Sequence, residues 1–291
     1  MTKSIGIVGL GRIGMVAAEK FINAGYQVFG CDCRSEFNTR FQSLGGIHVE
    51  NPARVAASAE IVLILVLNDS QVKDVLTGEN GILEGASPSA TVICMSTINR
   101  SNLEWVNGKC AEKGIGFVDC PFTGGPARVS SGTLTLIAAA SSDLIEKTRE
   151  VLAVIGETTV VGETPGMGQA VKHCNQLLVT AIHTATMELI TLAEKTGADP
   201  KLVCEIVGNG IAGNDYFRLL SKGILENTDS PGGLGQLWKD ANIVVTTARE
   251  LNLPLLGAFS TAQYFNMAVA QGMEYEDAAR SIDVLRKMIG S

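Results

Sequence analysis

Ser4-Ile5-Gly6-Ile7-Val8-Gly9-Leu10-Gly11-Arg12-Ile13-Gly14 decides the fold. A short apolar run ends in glycine, and a helical pattern from Ile13 to Ala24 follows, stopped by Gly25. Gln27 to Cys31 is apolar again, so strand, turn, helix and strand fit within about 30 residues, the span of a βαβ unit. In that setting G-x-G-x-x-G is a dinucleotide fingerprint. Gly9 permits the tight turn, Gly11 lets the backbone approach a pyrophosphate, and Gly14 allows helix to pack closely on strand. Arg12, Ile13 and Gly14 open the helix, whose N–H groups point at the phosphates. Asp32 ends the second strand, 21 residues after Gly11, where a carboxylate accepts the adenosine ribose hydroxyls. It would repel the extra phosphate of NADP and so favours NAD, although Arg34 leaves NADP open.

Outward from this unit the alternation continues. Ile61 to Leu67 is uniformly apolar, as a strand covered on both faces must be. Thr91–Met95, Gly116–Cys120, Leu134–Ala140 and Thr158–Val161 read as further strands, separated by helical stretches such as 70–76, 100–113 and 143–155. This predicts a mostly parallel, doubly wound α/β sheet of the Rossmann type over residues 1–164. After Gly162-Glu163-Thr164-Pro165-Gly166 the pattern becomes helical: Met167 to Thr196 without interruption, then 201–207, 236–251, 259–270 and 275–288. Residues 165–291 are therefore expected to form an all-α domain joined by the long helix. Polar groups punctuate the strand ends. Asn68 follows Leu67, Ser96-Thr97 follows Met95, and Pro121-Phe122-Thr123-Gly124-Gly125 follows Cys120. Ligands of open α/β sheets bind at the carboxyl ends of strands, so all of these face the same crevice as the glycine turn.

Composition bounds the function. The 291 residues are 46% apolar and 18% charged, enough for two packed domains. A net charge of −7 with no basic block speaks against nucleic acid as a partner. The longest apolar run, 61–67, is far short of a membrane span, and the N-terminus leads straight into a strand, so a cytoplasmic location is expected. Seven scattered cysteines form no CxxC pair, and they read as reduced, small apolar residues with no metal site.

Four motifs in order, the glycine turn, Asp119-Cys120-Pro121-Phe122-Thr123-Gly124-Gly125 with Gly132-Thr133-Leu134, Gly166-Met167-Gly168-Gln169-Ala170-Val171-Lys172-His173-Cys174-Asn175, and Lys239-Asp240, resemble the β-hydroxyacid dehydrogenase family across nearly the whole chain. The resemblance implies an NAD(P)-dependent oxidoreductase acting on a small hydroxy acid. It implies that Lys172 is the catalytic acid–base and that Asn175 bonds the substrate or orients the lysine. It also implies that Thr97 and Lys239 contact the cofactor, with Leu67 and Asn68 beside them. Ser96, Thr123, Gly124, Gly125, Gln176 and Asp240 are then expected around a small anionic substrate. Helix geometry agrees, because Gly168, Lys172, Asn175 and Gln176 are spaced by three or four and share a face. An amine used as acid and base must lose its proton near neutral pH, and burial and the nicotinamide charge both push it that way.

His173 is turned about 100° from Lys172, His183 lies about 16 Å along the axis, and His48 falls in a loop, so all three read as structural. The family usually has serine at 123, a second asparagine at 176 and an aromatic residue at 234. This chain has Thr123, Gln176 and Leu234, which points to an altered substrate pocket. Asn68 to Lys73, Gln176-Leu177-Leu178 and Ala212-Gly213-Asn214 resemble L-threonate dehydrogenases more than hydroxyisobutyrate enzymes. A 3-hydroxyisobutyrate dehydrogenase or a tartronate or other small semialdehyde reductase is the alternative, and a dinucleotide-binding protein without catalysis a further one. Resemblance also implies a homodimer or homotetramer.

Overall fold

Parity along the strands sorts the apolar side chains onto two faces. Ile61 and Leu63 join one buried cluster, Val62 and Ile64 another, and the same rule divides Ile93 and Met95 from Val92 and Cys94. Strands with no solvent face lie inside a sheet covered on both sides. The structure, a computed structural model describing residues 4–230 and 232–290, contains that sheet. Its strands are β1 (Ser4–Val8), β2 (Gln27–Cys31), β3 (Ile47–His48), β4 (Ile61–Ile64), β5 (Thr91–Cys94), β6 (Gly116–Asp119), β7 (Phe122–Thr123), β8 (Leu134–Ala139) and β9 (Gly156–Gly162). The order is β3-β2-β1-β4-β5-β6-β8-β7, with β9 also paired to β8.

From β3 to β6 every pairing is parallel, as the alternation of strands and helices requires. Beyond β6 the direction changes. β8 runs antiparallel to both β6 and β7, and parallel to β9. β7 extends the line of β6 in one antiparallel register along β8, and only residues 124–133 lead from β7 to β8, about ten, fewer than the crossover that a parallel neighbour needs. Two short strands differ from the sequence reading. His48, expected in a loop, lies on β3 with Nδ1 3.3 Å from the Gly30 carbonyl. Phe122–Thr123, beyond the strand expected to end at Cys120, pairs with β8. The apolar run 61–67 leaves the ladder after Ile64, and Leu67 is 50% exposed.

The chain divides into two compact units after Lys172, inside the helix Met167–Thr196 and later than the change of character near residue 164. That helix begins and ends where its sequence pattern does. The second unit adds helices Pro200–Asn209, Asp215–Glu226, Leu234–Glu250, Leu256–Ala270 and Ile282–Met288. Asp199 and Asn214 cap two of them by accepting the N–H groups of Lys201 and Phe217. The helix expected over 275–288 is broken. Asp277 caps a short 3-10 turn, Ala278–Ser281, and its carboxylate also takes the Ser230 N–H at 2.9 Å. Among the described residues of this unit the only strand-like pairing is the isolated bridge between Gly233 and Asp277.

By length and composition the 30-residue helix is one that a membrane could hold. In this fold its Gln176, Thr180, His183 and Thr184 are buried and hydrogen-bonded within the protein, so the helix serves as a core element.

Candidate active site

The turn between β1 and the helix Arg12–Asn23 is built as its glycines require. Gly9 has φ +98°, and a Cβ there would meet the Leu65 carbonyl oxygen at 2.7 Å. A Cβ on Gly14 would lie 2.0 Å from the Gly9 carbonyl oxygen, so helix and turn touch through hydrogen alone. At Gly11 the space is open apart from the Arg34 guanidinium, 3.6 Å away. No side chain caps the helix, leaving the N–H groups of Arg12, Ile13 and Gly14 at an uncapped N-terminus. The turn thus fits a dinucleotide pyrophosphate.

Asp32 stands beside it with its side chain 5% exposed. One oxygen accepts the Leu10 N–H (2.8 Å), which ties the turn to the end of β2, and the other accepts the Arg34 N–H (3.0 Å). The Arg34 guanidinium pairs with both oxygens at 3.0 and 3.3 Å and lies 4.0 Å from the Phe37 ring centre. Burial alone would raise the Asp32 pKa. The hydrogen bonds from Arg34 and Leu10 outweigh it and hold the carboxyl below the usual aspartate value.

The strand ends follow. Leu67 is exposed, with its N–H donated to Gln71 Oε1, and Asn68 caps the helix Asp69–Thr77 by accepting the Gln71 N–H. Asp69 accepts from the Asn99 N–H, the Asn99 amide and the Asn102 amide, so the exits of β4 and β5 are clamped together. Thr97 is half-buried on the second of these exits. Ser96, expected at the substrate, is buried and donates its hydroxyl proton to the Val66 carbonyl at 2.6 Å. Thr123 ends β7, and Gly124 (φ +137°) and Gly125 (φ +75°) turn the backbone into the next helix, where a side chain would be strained.

Two groups that sequence reasoning left without a role hold the start of the long helix. Asp119, the last residue of β6, is fully buried. Its Oδ2 accepts the N–H groups of Gly166 (2.8 Å) and Gln169 (3.1 Å), and its Oδ1 accepts the Gln169 amide (3.2 Å). Burial pushes its pKa up to about 6, against the lowering effect of those same donors. Gln169, also fully buried, accepts the Ile98 N–H at 3.1 Å and donates to the Ser96 carbonyl at 3.0 Å. An acid closing an apolar strand was the one available signal, because the partners lie 47 to 50 residues onward. Lys172 follows one turn later, 6% exposed, as the last residue of the first unit.

In the second unit a polar chain links the remaining candidates. The Asn175 amide donates to Gln176 Oε1 (2.9 Å), and the Gln176 amide donates to Asp240 Oδ2 (2.5 Å). The Lys239 ammonium lies 3.0 Å from Asp240 Oδ1, an ion pair without hydrogen-bond alignment. Asp240, expected at the substrate, is 1% exposed, with both oxygens directed at Gln176 and Lys239. Leu234, expected at the substrate pocket, is fully buried within the helical core. His173 is within 3.2 Å of the Thr247 hydroxyl, and His183 is buried between Tyr216 and Ser281.

Comparison with known proteins agrees with this architecture. Residues 4–162 match the NAD binding domain of 6-phosphogluconate dehydrogenase, and residues 166–285 match the NAD-binding region of NADP-dependent 3-hydroxyisobutyrate dehydrogenase. An L-threonate dehydrogenase from Cupriavidus necator is 31% identical over 98% of this chain and 96% of its own length. A 2-(hydroxymethyl)glutarate dehydrogenase from Eubacterium barkeri is 30% identical over 100% of the chain and 98% of its own length. The crystal structure of a 3-hydroxyisobutyrate dehydrogenase from Salmonella typhimurium superimposes with a TM-score of 0.89 at 25% identity, covering 97% of this chain and 99% of that one. Glycine turn, sheet, long helix and both matched regions lead to one conclusion: the chain belongs to the β-hydroxyacid dehydrogenase family, in its 3-hydroxyisobutyrate dehydrogenase-like branch, and is an NAD(P)-dependent oxidoreductase.

Proposed function

We propose that the chain interconverts a small polyhydroxylated acid, L-threonate first among them, and its carbonyl product, with Lys172 as the general acid–base. The observation that carries this is the burial of Lys172 one turn beyond Gln169, on a helix start hydrogen-bonded to the ends of β5 and β6. Lysine is rarely so enclosed unless it is paired, so this amine is a placed group rather than a solvated surface charge. The L-threonate dehydrogenase from Cupriavidus necator, at 31% identity over nearly the full length, supports the substrate class.

A bound nicotinamide would supply the hydride acceptor for the hydroxyl-bearing carbon in oxidation and the hydride donor in reduction. Neutral Lys172 takes the hydroxyl proton as the alcohol is oxidised, and protonated Lys172 donates it in the other direction. Thr123 offers a hydroxyl, and the Gly124–Gly125 turn offers backbone N–H groups, to the substrate carboxylate. Asn175 orients the lysine or the substrate, held by Gln176. Asp240 acts through Gln176 and Lys239, since both of its oxygens face them. Ser96 supports the exit of β5 in the same indirect way. NAD is the favoured cofactor because Asp32 closes β2 beside the glycine turn, where a carboxylate suits ribose hydroxyls and repels an added phosphate. The helical unit carries assembly into a homodimer or homotetramer, through exposed apolar residues such as Leu202, Ile206 and Ile211.

The test is a panel of hydroxy acids and semialdehydes followed at the nicotinamide absorbance with NAD and NADP. It includes L-threonate, 3-hydroxyisobutyrate, 2-(hydroxymethyl)glutarate and tartronate semialdehyde. Oxidation of L-threonate with NAD is expected. Lys172→Ala is expected to lower kcat by roughly a thousandfold or more while the Kd for NADH stays within about twofold. Turnover at the wild-type rate in that variant would remove the role given to the lysine, and NADH binding without turnover across the panel would favour a non-catalytic protein.

A further inference from the structure

Lys172 can work only if its helix starts at a fixed height and rotation against the carboxyl edge of the sheet, because reactive geometry tolerates errors well under an ångström. We infer that Asp119 is the positioning residue that sets this placement, locking the helix start through Gly166 and Gln169 to the ends of β5 and β6; the inference rests on the reading of Lys172 as acid–base.

Three observations carry it. First, a single buried carboxylate gathers two backbone N–H groups and one side-chain amide at the N-terminal end of a 30-residue helix, where a negative charge is also favoured by the helix dipole. Second, the contact is as close as the backbone allows. A Cβ on Gly168 would lie 2.8 Å from Asp119 Oδ2 and 2.8 Å from the Ile137 carbonyl oxygen, so only glycine lets the helix sit this low. Third, Gln169 is fixed in one orientation, since Oε1 accepts the Ile98 N–H while Nε2 donates to Ser96 O and Asp119 Oδ1. Lys172 follows Gly168 by four residues and Gln169 by three, on the face that these contacts fix.

Asp119→Asn keeps the shape and removes an acceptor. Turned one way, its amide meets the Gln169 amide, donor against donor. Turned the other way, it meets the N–H groups of Gly166 and Gln169. Gln169 cannot rotate its own amide to compensate without losing the Ile98 and Ser96 bonds. With L-threonate as substrate, kcat should fall roughly 10- to 100-fold while the KM for NAD and the Kd for NADH stay within about twofold.

A second measurement needs no substrate. In NADH-bound protein carrying isotope-labelled lysine, the side-chain resonance of Lys172, assigned by its loss in Lys172→Arg, should move in Asp119→Asn while other lysine resonances stay. Gln169→Ala, which keeps the two backbone bonds to Asp119, covers the case in which the first variant does not fold; it should shift the same resonance and lower kcat by less. An unmoved Lys172 resonance with unchanged kcat in the folded variants overturns the inference, as does a loss of NADH affinity in step with kcat. Full turnover in Lys172→Ala would instead remove the acid–base reading and leave the resonance shift standing.

Discussion

Asp32 does two jobs with one carboxylate. It is the residue proposed to meet the ribose, and it holds the glycine turn through Leu10 and the Arg34 backbone. Arg34 already neutralises much of the charge that would repel the extra phosphate of NADP. Its side chain is 52% exposed, so solvent screens the pair and its worth is modest. Arg34→Ala is expected to raise the ratio of NADPH to NADH dissociation constants by roughly 3- to 10-fold, because an uncompensated Asp32 then faces the phosphate. Fluorescence titration of both reduced cofactors reads this directly. An unchanged ratio would mean that Arg34 takes no part in the choice.

Among the elements, the long helix is held at two places by buried ionisable groups that respond to acid in opposite senses. His183 sits between Tyr216 (2.9 Å) and Ser281 (2.8 Å) and beside the Phe265 ring. Ser281 donates its proton to the Ala278 carbonyl, so the neutral imidazole donates from Nε2 and accepts from Tyr216 at Nδ1. Burial brings the His183 pKa down to about 3, against the raising influence of Ala278 and Asp277. Below its ordinary value near 6.5 the unfolded chain binds a proton that the folded one refuses, so stability is full above pH 6.5 and lost as pH falls towards 3. For Asp119, raised to about 6, the folded state keeps its proton longer than the unfolded one. Its contribution is therefore largest below about pH 4 and declines as pH rises through 6. Denaturation followed from pH 6.5 to 4 should show His183→Gln flattening the loss of stability and Asp119→Asn steepening it, each with a slope of at most about 1.4 kcal/mol per pH unit.

At the scale of the whole molecule the two units need not unfold together. The glycine turn and Asp32 belong to the first unit, so NADH should stabilise that unit foremost. At a concentration about 100 times its Kd the gain is about 2.7 kcal/mol, a rise of some 5–10 °C for a unit of this size. Calorimetry with and without NADH measures it. Gly14→Ala, whose Cβ would press on the Gly9 carbonyl, should abolish the shift. A shift confined to the second unit would contradict the assignment of the cofactor to the turn.

The sequence by itself determined what rests on local repetition. The βαβ opening, the parity of the strands and the full span of the helix Met167–Thr196 were legible because each repeats over a few residues. The glycine turn was legible for the same reason, and the family motifs placed Lys172 and Asn175 on one helical face. Tertiary structure alone decided what depends on residues far apart in the chain. The reversal at β8 follows from a connection after β7 too short to cross over, and the two-residue β3 is too brief to show a period. Leu234 reads as a pocket residue by motif and lies in the core by packing. Ser96 and Asp240 read as ligand contacts and spend their hydrogen bonds inward. Asp119 meets Gln169 across 50 residues and Gln169 meets Ser96 across 73. A buried polar group finds its partner wherever the fold brings one, and no local pattern records that choice.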